Sequence, residues 1–236
     1  MKFTFKKYNE INRSYFFTDL HMHSTWTDGK KTISEMVDKA NKLSLTDIAI
    51  TDHIRKSSTY FNKYHDEICR IRENKNMRIF IGYEAKVKNF LGEIDAPDEA
   101  KNKAELRIVS VHRFPIGKKL ISPKLFTKKT CHDIELELSN AVLENNSDEF
   151  NILGHPGGMS LRFHGEFPTK YFDEIIYNCS KHRIAFDLNY SYHSSIIKQL
   201  KPILKKYNPF ISIGSDAHIS SNVGRSIKLY DKYFHN

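Results

Sequence analysis

Seven short runs rich in β-branched and aromatic residues punctuate the chain: SYFFTDLHMH (14–23), DIAITDH (47–53), RIFIGYEAKV (78–87), RIVSVH (107–112), NILGHP (151–156), IAFDLNY (184–190) and FISIGSDAH (210–218). Between most of them lie longer segments with apolar residues at helical spacing. Strands that alternate with amphipathic helices pair in parallel, so this order constrains the chain to an α/β fold. The stretch 32–44 is the clearest helix: Ile33, Met36, Val37 and Ala40 share one face, behind a capping box formed by Thr32 and Glu35. Similar patterns cover 59–74, 132–146, 169–181 and 195–206. Two connections depart from the pattern. Residues 88–105 read as a hairpin or loop rather than a long helix, and the Lys-rich segment 113–130 has no clear period. With 236 residues and no repeat, linker or low-complexity tract, the chain is expected to form one barrel-like β/α domain over 1–236.

In six of the seven runs apolar residues lead and polar ones follow: His21 and His23, His53, Glu84, His112, His155, then Asp216 and His218. Only IAFDLNY carries no obvious ligand. The strands of a parallel barrel all end on one face, so residues about 200 positions apart are brought together there. Each motif alone admits a plainer reading. Alternation in a strand puts both imidazoles of His-x-His on one face, but a solvated pair gives the same pattern. A lone histidine at a strand end is ordinarily a hydrogen-bonded structural residue. Together, six imidazoles and two or three carboxylates on one rim exceed what hydrogen bonding satisfies, and divalent ions would organise them. They also exceed the needs of one ion, which implies two or three; Zn, Mn and Fe all suit such donors.

The remaining histidines, His65, His132, His164, His182, His193 and His235, fall in expected helices, loops or the tail and read mostly as surface residues. His164 and His193 follow the fifth and sixth runs and are candidates to reach a substrate, with a structural role as the alternative. Arg55, Arg113, Arg162 and Arg225 follow strand ends, where a guanidinium offers paired donors to phosphate; a surface role is again the alternative. A net charge of +9 suits an anionic partner, either a small phosphorylated molecule or nucleic acid. A Lys-rich solvated surface accounts for it equally. Cys69, Cys131 and Cys179 are too scattered for a disulfide framework or a thiolate metal site. No apolar run is long enough to span a bilayer and no secretory leader is evident, so no membrane partner is expected and a cytoplasmic location is the expectation.

Taken in order, DLHMHSTWTDG, AITDH, GYEAKV, VSVHRF, LGHPGG and IGSDAH resemble the motifs of the PHP superfamily, named for polymerases and histidinol phosphatases, over nearly the whole chain. The resemblance implies a distorted TIM-like (β/α)7 barrel with a trinuclear site. It implies that His21 and His23 share one metal with Glu84 and Asp216, and that Glu84 bridges to a second held by His112 and His155. His53 and His218 would hold the third, with Asp28 at a position where family members vary between aspartate and histidine. Asp19 and Asp52, which precede ligands, are expected to be structural or to orient imidazoles. The implied activity is metal-dependent hydrolysis of a small phosphomonoester, such as a nucleotide or a histidinol-phosphate-like substrate, by metal-activated water without a separate catalytic side chain. Residues 82–112 are also similar to the phosphoesterase domain attached to bacterial family X DNA polymerases, so an exonuclease or phosphodiesterase acting on nucleic-acid ends is an alternative. A noncatalytic metal-binding regulatory module is another. The native metal, the substrate and the oligomeric state are not fixed by the sequence.

Overall fold

All seven runs form parallel strands: β1 (Thr18–Asp19), β2 (Asp47–Ile50), β3 (Arg78–Lys86), β4 (Leu106–Ser110), β5 (Ile152–Gly154), β6 (Ala185–Asn189) and β7 (Phe210–Gly214). The structure is a computed structural model that describes residues 1–73, 75–117 and 119–234. Asn74, the end of the 59–74 pattern, and His235 lie outside the described residues.

The strands hydrogen-bond in sequence order, β1 to β2 through to β6 to β7. The Leu20 N–H donates to the Ile213 carbonyl at 2.8 Å and Met22 bridges Ala217 in parallel, so the sheet curls until its first and last strands meet. The result is a distorted TIM-like barrel. Lys6–Lys7 adds an antiparallel strand to β7, and His53–Ile54 pairs with Glu84–Ala85 beside β3.

Nine helices are present among the described residues: α1 (Ile33–Lys42), α2 (Phe61–Arg72), α3 (Asp98–Lys103), α4 (Lys128–Asn146), α5 (Gly158–His164), α6 (Thr169–His182), α7 (Tyr190–His193), α8 (Ile197–Tyr207) and α9 (Ile227–Tyr233). On α1 the four apolar residues are buried and the capping box is formed, with the Glu35 N–H donating to Thr32 Oγ1 and the Thr32 N–H to Glu35 Oε2. One apolar cluster joins β4–β7 to α4, α6 and α8; another joins β2 and β3 to α1 and α2. Strands enclosed by helices outside and side chains inside need apolar residues on both faces, which is why their runs are nearly continuous. None of the helices among the described residues is long and apolar enough to cross a membrane.

The two irregular connections contain short elements. Residues 88–105 hold a bridge between Val87 and Ile94 and then α3. Residues 113–130 hold a hairpin pairing Phe114–Ile116 with Lys119–Ile121, and α4 starts at Lys128, earlier than its apolar pattern predicts, because Thr127 caps it. Helix α5 was not expected: seven residues are too few to show a period, and Gly157, at φ +76°, turns the chain into it.

Gly214 marks where β7 lies closest to its neighbours. A Cβ there would sit 2.6 Å from Asp187 Oδ1 and 2.7 Å from His21 Cβ. Gly214→Ala is therefore expected to lower unfolding free energy by about 1–3 kcal/mol, the usual cost of overpacking. An unchanged urea midpoint would show instead that β7 can move away without loss.

Candidate metal centre

Glu84 projects from β3, buried, into the middle of the ring-end histidines. Its Oε1 lies 3.3 Å from His21 Nε2, 3.2 Å from His112 Nε2 and 3.0 Å from His155 Nε2; its Oε2 lies 3.5 Å from His23 Nε2 and 3.0 Å from His53 Nδ1. Ser110 Oγ donates to Oε1 at 2.5 Å from the adjacent strand. His112 Nε2 and His155 Nε2 are themselves 3.1 Å apart, so three acceptor-capable atoms converge on one point. Asp216 Oδ1 completes the other side, 3.3 Å from His23 Nε2 and 3.7 Å from His21 Nε2.

A further group forms at the rim. Asp28 Oδ2 lies 3.4 Å from His53 Nε2 and 3.2 Å from His218 Nε2, while His218 Nδ1 donates to the Asp216 carbonyl and is thereby oriented. The donor atoms fall into four overlapping groups, each with all members within 4.8 Å of one another: His23, Asp28, His53 and His218; His21, Glu84 and His155; His21, His23 and Asp216; His53, Glu84 and His112. All nine sequence candidates for metal binding thus lie in one cluster. His21, His23 and His53 additionally straddle groups that the family resemblance keeps apart.

Buried polar atoms in the cluster test whether it suits metal. His21 Nε2, both ring nitrogens of His23 and Glu84 Oε2 are buried without a hydrogen-bond partner among the described residues. Leaving such groups unpaired costs on the order of 1–3 kcal/mol each, and a cation answers several at once. Imidazoles and carboxylates in this proportion fit Zn, Mn or Fe. Charge points the same way. Burial opposes ionisation of Glu84, yet the imidazoles of His112 and His21 hold its carboxyl well below 4.5. Burial likewise opposes protonation of His21, but Glu84 and Asp187 raise its pKa well above 6.5. Without metal, the raised pKa of His21 favours a proton on that ring beside the carboxylates, so metal uptake there displaces a proton. Two of the nine carry unusual backbone angles: His155 at φ +29° and Asp216 at φ +53°.

The aspartates before the ligands hold loops rather than rings. Asp19 accepts from the Ser215 and Gly224 N–H groups, fixing the turn that carries Asp216. Asp52 accepts from the Ser24 N–H and hydroxyl and from Thr27 Oγ1, shaping the turn that leads to Asp28. The residue that orients an imidazole is Asp187 on β6, in the run that showed no ligand. Its buried Oδ2 accepts from His21 Nδ1 at 2.9 Å, the His155 N–H at 3.2 Å and Asn189 Nδ2 at 3.0 Å. Holding a proton on Nδ1 leaves Nε2, which faces Glu84, as the nitrogen that would bind a metal.

Three sequence candidates for substrate contact lie elsewhere. His193 is buried with both nitrogens engaged, Nδ1 accepting from the Asn189 N–H and Nε2 donating to the Pro156 carbonyl. His164 ends α5 with its ring 6.2 Å from that of His132, and the Arg225 guanidinium lies 6.0 Å from the Tyr190 ring. None of the three lines the cavity over the cluster. His132, expected at the surface, is buried and donates to the Glu166 carbonyl. Burial lowers the pKa of His193 from 6.5 to about 4. An unfolded chain takes up this proton near pH 6.5 and the folded one only near 4. The stability from this residue is therefore complete above pH 6.5 and is lost as pH falls toward 4, by up to about 3 kcal/mol. In metal-free protein, His193→Gln should flatten the decline of urea-measured stability across that window; an unchanged slope would assign the acid sensitivity to other groups.

The cavity measures about 420 Å³ and is lined by donors of the cluster together with Arg55, Lys86, Arg113, Arg162, Phe163 and Tyr192, among others. Arg162 rides on α5, whose first turn is fixed by Glu135 of α4. That buried carboxylate accepts from the Met159 N–H at 2.9 Å and the Ser160 N–H at 2.8 Å. Tyr192 packs on the ring of His155 at 4.6 Å between centroids.

The sequence model of the PHP domain family matches residues 19–216, which span every donor of the cluster except His218. The chain belongs to the PHP domain family. Two curated relatives, each named "Probable phosphatase", are 28% identical. The one from Caldicellulosiruptor bescii aligns over 82% of this chain and 75% of its own length. The one from Caldicellulosiruptor saccharolyticus aligns over 86% and 81%. In fold, this PHP domain is similar to histidinol phosphate phosphatase from Lactococcus lactis, solved with zinc, L-histidinol and phosphate: TM-score 0.72 at 21% identity, covering 91% of this chain and 92% of that one.

Proposed function

We propose that this PHP domain is a phosphatase that hydrolyses a small phosphomonoester at a trinuclear metal site. The observation that carries the reading is Glu84, held within 3.5 Å of five imidazoles at the foot of a cavity whose wall bears three arginines. The names of the curated relatives, and the zinc and phosphate in the Lactococcus structure, support it. His21, His23, Glu84 and Asp216 would hold one ion, Glu84 with His112 and His155 a second, and Asp28, His53 and His218 a third. When bound, the metal ions supply a nucleophile at neutral pH and neutralise developing charge on the phosphoryl oxygens.

The chain's own side chains bind and orient. Arg162, which lines the cavity beside Tyr192, would take two phosphoryl oxygens through its paired donors. Tyr192 closes that side of the cavity, and burial raises its phenol pKa, so it remains a neutral hydrogen-bond donor at working pH. Asp187 holds His21 in the tautomer that faces the site.

Protein purified without chelator is expected to contain more than one equivalent of Mn, Fe or Zn and to release phosphate from a phosphomonoester panel in preference to nucleotides from single-stranded oligonucleotides. His21→Ala and Asp216→Ala should abolish the release. A protein that takes up no metal on reconstitution, or variants that remain fully active, would overturn the reading; nucleotide release alone would move it to nucleic-acid ends.

A further inference from the structure

Resting on the phosphatase reading, we infer that the substrate carries a second anionic group, recognised by Arg55 and Arg113. The only carboxylates in the cavity wall among the described residues are Asp28, Glu84 and Asp216, and each faces imidazoles of the cluster. The rest of the wall is cationic or neutral, with Arg55, Lys86, Arg113 and Arg162 as its charged members.

These four cations are not equivalent. Lys86 Nζ is paired with Asp95 at 3.1 Å. Arg162 lies 5.6 Å from the Phe163 ring centroid and beside Tyr192, which packs on His155, and the phosphatase reading assigns it to the reacting phosphoryl group. Arg55 follows the His53–Ile54 strand and Arg113 follows His112, so they reach the cavity from two neighbouring loops. Both are exposed, and among the described residues neither guanidinium has a carboxylate partner.

One guanidinium together with the metals is enough for a single phosphoryl group. Two further exposed guanidiniums in the cavity wall, without carboxylate partners, raise the local concentration of a ligand with a second phosphate or a carboxylate, and they offer it charge-assisted hydrogen bonds. A substrate ammonium group, such as that of histidinol, would meet like charge with no free carboxylate to receive it. The wall therefore favours a doubly anionic phosphomonoester over a zwitterionic one.

Three hexose phosphates of one size test this: glucose 1,6-bisphosphate, glucose 6-phosphate and glucosamine 6-phosphate. With metal-loaded protein, KM is expected to rise in that order, by on the order of tenfold between the bisphosphate and the monophosphate, as for a partly exposed charge-assisted contact. Calorimetric binding of the same three sugars to metal-depleted protein, which does not turn over, gives the ranking from the cavity wall alone. In Arg55→Ala/Arg113→Ala protein, the ratio of KM for bisphosphate and monophosphate should collapse toward one, and in the parent it should shrink as NaCl is raised. Hydrolysis of all three sugars at equal KM, or a ratio that survives the double substitution, overturns the second-anion assignment and leaves the phosphatase reading intact. Phosphate release from none of them, nor from the wider monoester panel, overturns the phosphatase reading; equal calorimetric affinities then overturn the anion site as well.

Discussion

Glu84→Gln is expected to reduce phosphate release by at least about 100-fold, since it removes a charge on which binding and stabilisation by metal both depend. Metal content measured after gel filtration should fall with it. The substitution is nearly isosteric, so packing around β3 is kept. What changes is that five imidazoles within 3.5 Å lose their shared anion and an amide N–H₂ is turned toward ring nitrogens. Metal analysis and turnover on one preparation, with circular dichroism to confirm folding, make the comparison. Retention of both full metal content and full rate would mean that Glu84 is a structural carboxylate after all.

Asp187→Asn should weaken metal binding by about 10–100-fold, the range typical for partners that orient a ligating histidine. One oxygen of Asp187 serves His21 Nδ1, the His155 backbone and Asn189 together. An amide oxygen accepts the same three bonds more weakly, so it favours less strongly the tautomer that directs His21 Nε2 inward. The effect should appear as easier stripping by a chelator, with much of the rate restored at saturating metal. A loss of rate with unchanged metal affinity would place Asp187 in another role.

What the sequence made legible follows from distance along the chain. Strand runs, the Thr32–Glu35 capping box and the polar residues that close each run are local patterns, and a parallel ring converts "end of strand" directly into "same face". Asp187 was hidden because nothing local marks it. It sits between Phe186 and Leu188 in a strand, and its meaning comes from His21, 166 positions away. Position after a strand end was also a poor guide to which residues line the cavity. Arg55, Arg113 and Arg162 line the cavity, while Arg225 turns to Tyr190 and His193 folds under the GHP turn. Loop direction, which decides among them, is set by tertiary contacts such as Glu135 at the start of α5, and these leave no periodic trace.

The left-handed backbone at His155 and Asp216 has a consequence for how this barrel can change. A histidine or aspartate held at positive φ gives up on the order of 1 kcal/mol that glycine would not. At these two positions the side chain best suited to the backbone is not the one best suited to the cluster. Selection for thermal stability alone would therefore drift there toward glycine, and each such step would harden the fold while emptying the centre.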